Sequence, residues 1–222
     1  MNVLERIDEA IAGRDLLTHP FYVKWVEGTL PREALQEYVR QYHAFESAFP
    51  TFLSALHSRS EDRATRAALL ENLWDEEHGD ANHRELWLRF AEGVGIARDD
   101  VESATPNAAT TRLLDVYHGA SRQEPVAAGV AAVYAYEAQV PRVAQAKIDG
   151  LRANYGITDG PALSFFEVHA ALDVEHSAAE RAIVGAASDH DADRAVEVAR
   201  GALDAWWEFL SAVDVPARED AA

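Results

Sequence analysis

Three stretches of this sequence set carboxylates and imidazoles at helical spacing. In Ser164–His176, the side chains of His169, Asp173 and His176 fall at i, i+4 and i+7. An α-helix turns about 100° per residue, so all three share one face within roughly 60°. Two imidazoles and a carboxylate on one stripe form a ready face for iron or manganese, which accept mixed nitrogen and oxygen donors. In Asn72–His83, Glu76 and His83 are seven apart and share a face two turns on. Asp80 lies between them on that stripe as a further candidate, while Asp75, Glu77 and His78 point elsewhere. In Ala127–Pro141, Glu137 follows the apolar run Val126–Tyr136. A carboxylate there is expensive to bury unless it is protonated, paired or metal-bound.

Each pattern alone is common on a solvated helix. Together they supply three carboxylates (Glu76, Glu137, Asp173) and three histidines (His83, His169, His176) on three long helices. That set suits two metal ions bridged by carboxylate inside a helix bundle. The Glu-x-x-His pair of ferritin-like proteins is not supplied. Asp80-x-x-His83 and Asp173-x-x-His176 carry the shorter carboxylate instead.

The elements that must position these groups are helices. Strand-like alternation and hairpin signals are nearly absent. The expected helices are Val3–Ala12, Pro20–Glu27, Pro31–His57, Asp62–Val94, Asn107–Ser121, Pro125–Asn154, Pro161–Ala187 and Asp191–Val213. Thr18, Thr29, Ser60, Thr105 and Asp159 punctuate several starts. No repeat or linker divides the chain. The reading is one all-α domain, a bundle of seven or eight helices, with 1–18 as an N-terminal helix and 214–222 as a short tail. Pro50 and Pro141 lie inside helical patterns, where each would free the carbonyl four residues back, of Glu46 and Glu137. Kinks are expected there, either wrapping the core or opening a cavity.

Composition narrows the function classes. At 222 residues one core suffices without staples. The absence of cysteine excludes a disulfide framework, thiolate zinc, the usual iron–sulfur clusters and a cysteine nucleophile. A net charge of −18 argues against nucleic-acid and anionic-membrane partners. The first twenty residues carry Glu5, Arg6, Asp8, Glu9, Arg14 and Asp15, so no secretory apolar core is visible. The longest apolar run, 11 residues, is too short to span a bilayer. A cytoplasmic protein is expected.

The sequence resembles the haem-oxygenase-like di-metal oxidases, and within them the CADD-type proteins, named for a chlamydial protein that associates with death domains. The resemblance runs from about Phe21 to Phe209. It rests on FYVKW (Phe21–Trp25), AFP (Ala48–Pro50), LHSR (Leu56–Arg59), DEE-x5-H (Asp75–His83), AAGVAA-x-Y-x-YE-x-Q-x-P-R (Ala127–Arg142) and H-x3-D-x2-H (His169–His176). It implies a seven-helix haem-oxygenase-like fold. It implies Glu76, His83, Glu137, His169, Asp173 and His176 as ligands of two iron ions, or of one iron and one manganese, with O2 and an external reductant. It further implies p-aminobenzoate supply for folate, made from one of the protein's own tyrosines with a lysine as nitrogen source. The matching residues are Tyr22, Tyr136 and Lys147.

The residues are compatible with those roles, and each has a plainer one. Lys147, one of two lysines, follows Tyr136 by eleven residues, about three turns, so the two share a face unless Pro141 rotates it. Otherwise Lys147 is a solvated lysine, Tyr22 a core tyrosine, and Tyr136 a hydrogen-bond partner of a metal-bound carboxylate. The sequence also departs from the family. Phe165 stands where a close relative is expected to carry tyrosine. The tail after Val213 is short, so death-domain binding does not carry over. The resemblance also offers Glu46 as a further ligand, since some relatives carry an extra carboxylate; its plainer role is on a charged helix face.

Three functions stay open on the sequence: an oxygenase that makes p-aminobenzoate from itself, a di-iron oxidase acting on an external small substrate by N-oxygenation, desaturation or C–C cleavage, and a silent interaction protein. Fold alone does not choose among them. A thiamin-cleaving relative is disfavoured by the missing cysteine. A haem oxygenase is disfavoured because only His19 is on offer near the N-terminus. A homodimer is left open.

Overall fold

The computed structural model of the chain describes residues 1–158 and 160–214. Asp159, expected to punctuate a helix start, and nearly all of the expected tail lie outside the described residues. The described residues form eleven α-helices and no strand: α1 (Val3–Gly13), α2 (Pro20–Glu27), α3 (Arg32–Arg59), α4 (Arg63–Glu77), α5 (His83–Gly93), α6 (Arg98–Glu102), α7 (Ala108–Gln123), α8 (Val126–Glu137), α9 (Val140–Asn154), α10 (Gly160–Gly185) and α11 (Asp189–Val213). None is long and apolar enough to cross a membrane.

The all-α class is as expected, but two expected helices are each two. Asp62–Val94 breaks because His78 ends α4, Gly79 takes φ +82, and Asn82 caps α5 by accepting from the Glu85 amide. Pro125–Asn154 breaks at Ala138–Gln139. Pro141 then sits in the first turn of α9, where its missing amide would have no helical partner anyway. Only Pro50 remains inside a helix, the 28-residue α3. Caps also fall slightly later than expected: Asp62 and Asn107 accept the orphan amides, rather than Ser60 and Thr105.

The bundle is organised around α8, whose residues from Ala128 to Glu137 are all buried. α8 packs on α11, α10 and α7. Gly129 sets how closely α8 can approach. A Cβ there would lie 2.5 Å from both the Ala120 carbonyl oxygen and Leu56 Cδ2. α3 spans the bundle, meeting α4, α5, α7 and α11, while α10 lies along α9, α5 and α8 and more sparsely against α4. Glu137 therefore ends the buried stretch of α8, between Asn72 of α4 and the inner face of α10. His19 has a structural role: Nδ1 accepts from the Phe21 amide at 3.1 Å and caps α2.

Candidate metal centre

On α10 the spacing does what helix geometry requires. His169, Asp173 and His176 are all buried on one face. His169 Nδ1 lies 3.3 Å from both Asp173 oxygens, and His176 Nδ1 lies 3.7 Å from Asp173 Oδ1. Other helices complete two groups. Glu46, His83 and His169 bring one donor atom each to within 4.8 Å of one another, and so do Glu137, Asp173 and His176. Glu76 borders the first group, with Oε1 at 2.9 Å from His83 Nδ1 but without the angle for a hydrogen bond. In the second, Glu137 accepts from Asn72 Nδ2 at 3.1 and 3.2 Å. Asp173 stands between the groups.

The route to this geometry differs from the expected one in four respects. Glu76 and His83 do not share a helix face; the 78–82 turn separates α4 from α5 and folds His83 back beside Glu76. Asp80 is exposed on that turn, away from both groups. Asp75 does not point elsewhere: its Oδ2 lies 3.1 Å from His176 Nε2, which orients the ring and leaves Nδ1 facing Asp173. Glu46, which only the resemblance offered as an extra ligand, joins His83 and His169. Sequence reasoning also missed Glu180 and Asn72, both buried. Glu180 had a signal, since it extends the His169–Asp173–His176 stripe by one more turn.

Five buried carboxylates crowd this centre, and electrostatics reports the strain. Burial, with neighbouring carboxylates, pushes Glu46, Glu76 and Glu137 up to about 8. Burial and then Glu137 hold Glu180 well above the carboxylate range. Burial depresses His83 to about 4. Burial also opposes charge on His176, but Asp173, Glu137 and Asp75 outweigh it and lift that ring to about 9. A divalent cation removes the conflict, because it favours ionised carboxylate and neutral imidazole.

The residues fit such an ion. Glu46 Oε1, Glu76 Oε2, His83 Nδ1, His169 Nε2 and His176 Nδ1 are buried and without a hydrogen-bond partner. Buried polar groups are rarely orphaned, and five around one centre have a common explanation in bound cations.

The tyrosines and the lysine form an adjoining locus. Lys147 is buried, and its Nζ donates to Tyr38 Oη at 2.7 Å. The same nitrogen lies 5.3 Å from the Tyr22 ring centre, 5.1 Å from Tyr38 and 5.6 Å from Tyr42. Tyr22 is hydrogen-bonded to Tyr38, and burial raises its phenol well above the usual range. Tyr136 Oη meets Tyr42 Oη at 2.8 Å, and its ring stacks on Trp206 at 4.2 Å. Tyr136 and Lys147 sit on separate helices, so their expected shared face does not exist; Tyr42 stands between them. Tyr38, Tyr42 and Glu46 fall at four-residue steps on α3, a stripe from Lys147 to the first metal group that the sequence reading missed. Phe165 packs 4.4 Å from His169 and 4.8 Å from Trp87.

A bundle with this helix order and a buried carboxylate–imidazole centre defines a haem-oxygenase-like metalloprotein. The chain belongs to the family of iron-containing redox enzymes, whose family model matches residues 36–207. It is 37% identical over 217 residues to a 4-aminobenzoate synthase from Chlamydia muridarum, covering 98% of this chain and 92% of that protein. It is 40% identical over 220 residues to a 4-aminobenzoate synthase from Nitrosomonas europaea, covering 94% and 89%. Its fold is similar to that of a haem oxygenase-like domain from Shewanella denitrificans, with a TM-score of 0.81, 16% identity, and 96% and 92% of the two chains covered.

Proposed function

We propose that this chain is an O2-dependent p-aminobenzoate-forming enzyme that draws the product from its own side chains, for folate synthesis. The observation that carries the reading is Lys147: a buried amine 2.7 Å from one phenol and beside a second, at the end of a tyrosine stripe leading to the metal centre. Glu46, Glu76, His83 and His169 would hold one ion, and Glu137, Asp173 and His176 the other, as two irons or as iron with manganese. When bound, such a pair supplies O2 activation and oxidising equivalents.

The chain's own residues do the rest. Asp75 fixes the tautomer of His176, and Asn72 orients Glu137. Burial lowers Lys147 to about 7, so a large share of the amine is neutral and nucleophilic at neutral pH. Tyr22 supplies the ring and Lys147 the nitrogen. The Tyr42–Tyr136 hydroxyl pair can pass a proton toward Glu46, which is hydrogen-bonded to Tyr42. Packed aromatics exclude water from this locus.

One observation favours a second reading. A cavity of about 210 Å³ lined by Glu46, Pro50, Glu76 and Arg84 opens beside the first metal group. An external small substrate of a di-iron oxidase would enter there.

One experiment separates the two. The protein is reconstituted with Fe(II), alone and with Mn(II), then given reductant and O2 without organic substrate. Self-derived chemistry predicts p-aminobenzoate at no more than one per chain, lost in Tyr22→Phe at unchanged metal content. No product from metal-loaded wild type, with O2 uptake driven many times per chain by an added amine or fatty acid, would establish the second reading instead.

A further inference from the structure

A second cleft reaches the metal centre between α4 and α10, where those helices pack sparsely. Exposed Glu71 and Glu175 stand at its mouth, half-buried Asp75 on its wall, and Asn72, His176 and Glu180 on its buried floor. The floor carries two orphans besides the second-position donor His176 Nδ1. Asn72 Oδ1 and Glu180 Oε2 are buried without a hydrogen-bond partner, in residues only 3% exposed. Both belong to residues that line the cleft, and among the described residues no amide, hydroxyl or ring N–H donates to either; the Glu180 carboxyl pairs only with that of Glu137 and with Asn72 Nδ2.

We propose that this cleft is the loading path of the second metal position, and that Glu180 with Asn72 forms a staging site for an incoming divalent cation. Inward from solvent, an ion meets Glu71 and Glu175, then Asp75, then Glu180 and Asn72, and finally Glu137, which Glu180 touches. Glu180 lies outside the donor trio of the second position and lines the cleft that leads to it, which is the placement of a staging group. The cavity volume is about 60 Å³. At about 10–15 Å³ per water this admits a partly hydrated ion and excludes an aromatic amine. Carboxylates at the mouth of a narrow path, Glu71 and Glu175 with Asp75 behind them, raise the local cation concentration and the rate of capture. The inference rests on the metal reading of the second position.

The test is Co(II) uptake by the full chain after chelator stripping, followed by visible absorption in a stopped-flow instrument, with bound cobalt counted at saturation. Wild type should bind two ions in two phases. Glu180→Gln should slow filling of the second position by roughly tenfold or more, with two ions still bound at saturation and the first phase unchanged. The double variant Glu71→Gln/Glu175→Gln, altered only at exposed positions, should slow the same phase and weaken its salt dependence. Wild-type rates in both variants would overturn the path. Loss of the second ion at saturation in Glu180→Gln would make Glu180 a resident ligand and overturn the staging role. Wild type that binds no cobalt would overturn the metal reading itself, and the inference with it.

Discussion

Replacing Lys147 by methionine keeps the volume of a long side chain and removes an amine from the core. Burial lowers this amine from 10.5 to about 7. At about 1.4 kcal/mol per pH unit, that displacement corresponds to roughly 5 kcal/mol against the charged form. The unfolded chain holds the proton up to its ordinary value, whereas the folded chain gives it up near 7. Between those values the unfolded state binds more protons, so Lys147 lets wild-type stability rise with pH across that window. Its penalty is complete below 7 and fades toward 10.5.

Against this, Lys147→Met loses the 2.7 Å hydrogen bond to Tyr38 and the contacts with the surrounding rings. That loss is about 1–3 kcal/mol and varies little with pH. The variant should therefore be more stable than wild type by a few kcal/mol at a pH of about 6, with the advantage shrinking by about 1.4 kcal/mol per pH unit above 7. Urea unfolding of the two chelator-treated proteins at pH values of about 6, 7.5 and 9 reads the difference. A stability difference that stays flat across that range would refute the depressed amine, and with it the neutral nucleophile assigned to Lys147.

Metal binding should follow the carboxylates. Glu46, Glu76 and Glu137, raised to about 8, give the cation-free chain stability that is full below 4.5 and lost as pH rises through 8. The gain in thermal midpoint on adding Mn(II) should thus be larger near pH 8 than near pH 6, and uptake should release protons by calorimetry in two buffers; equal gains would contradict this. Glu46→Gln should weaken binding of one ion by about 10–100-fold in a metal titration and spare the other, whereas unchanged binding of both would remove Glu46 from the ligand set. Gly129→Ala should destabilise by about 1–3 kcal/mol in thermal unfolding, because its Cβ meets a backbone carbonyl that cannot turn away.

How much of this was legible in the sequence depended on whether a contact is local. The stripe His169–Asp173–His176 was readable because one unbroken helix fixes the relation of its residues, and α10 is such a helix. The same logic applied across 76–83 gave the right pair for the wrong reason, since Gly79 and Asn82 break the helix and the turn brings His83 back. Across 136–147 it gave a face that does not exist, because Pro141 begins a helix there. Lys147 and Tyr22 were marked only by resemblance; their burial and mutual approach were not encoded in any local spacing.

The sequence by itself determined an all-helical chain without thiolate chemistry and a metal-competent stripe on α10, since composition and helical period act within single segments. It also marked Glu137 by the apolar run that precedes it. Only the tertiary structure decided that Glu46 joins His83 and His169, that Asp75 turns to His176, and that Tyr38 and Tyr42 connect Lys147 to the metal centre. Those groups come from helices far apart in the chain. What brings them together is the burial of α8 and the close packing that Gly129 permits, forces that act between segments and leave no period in the sequence.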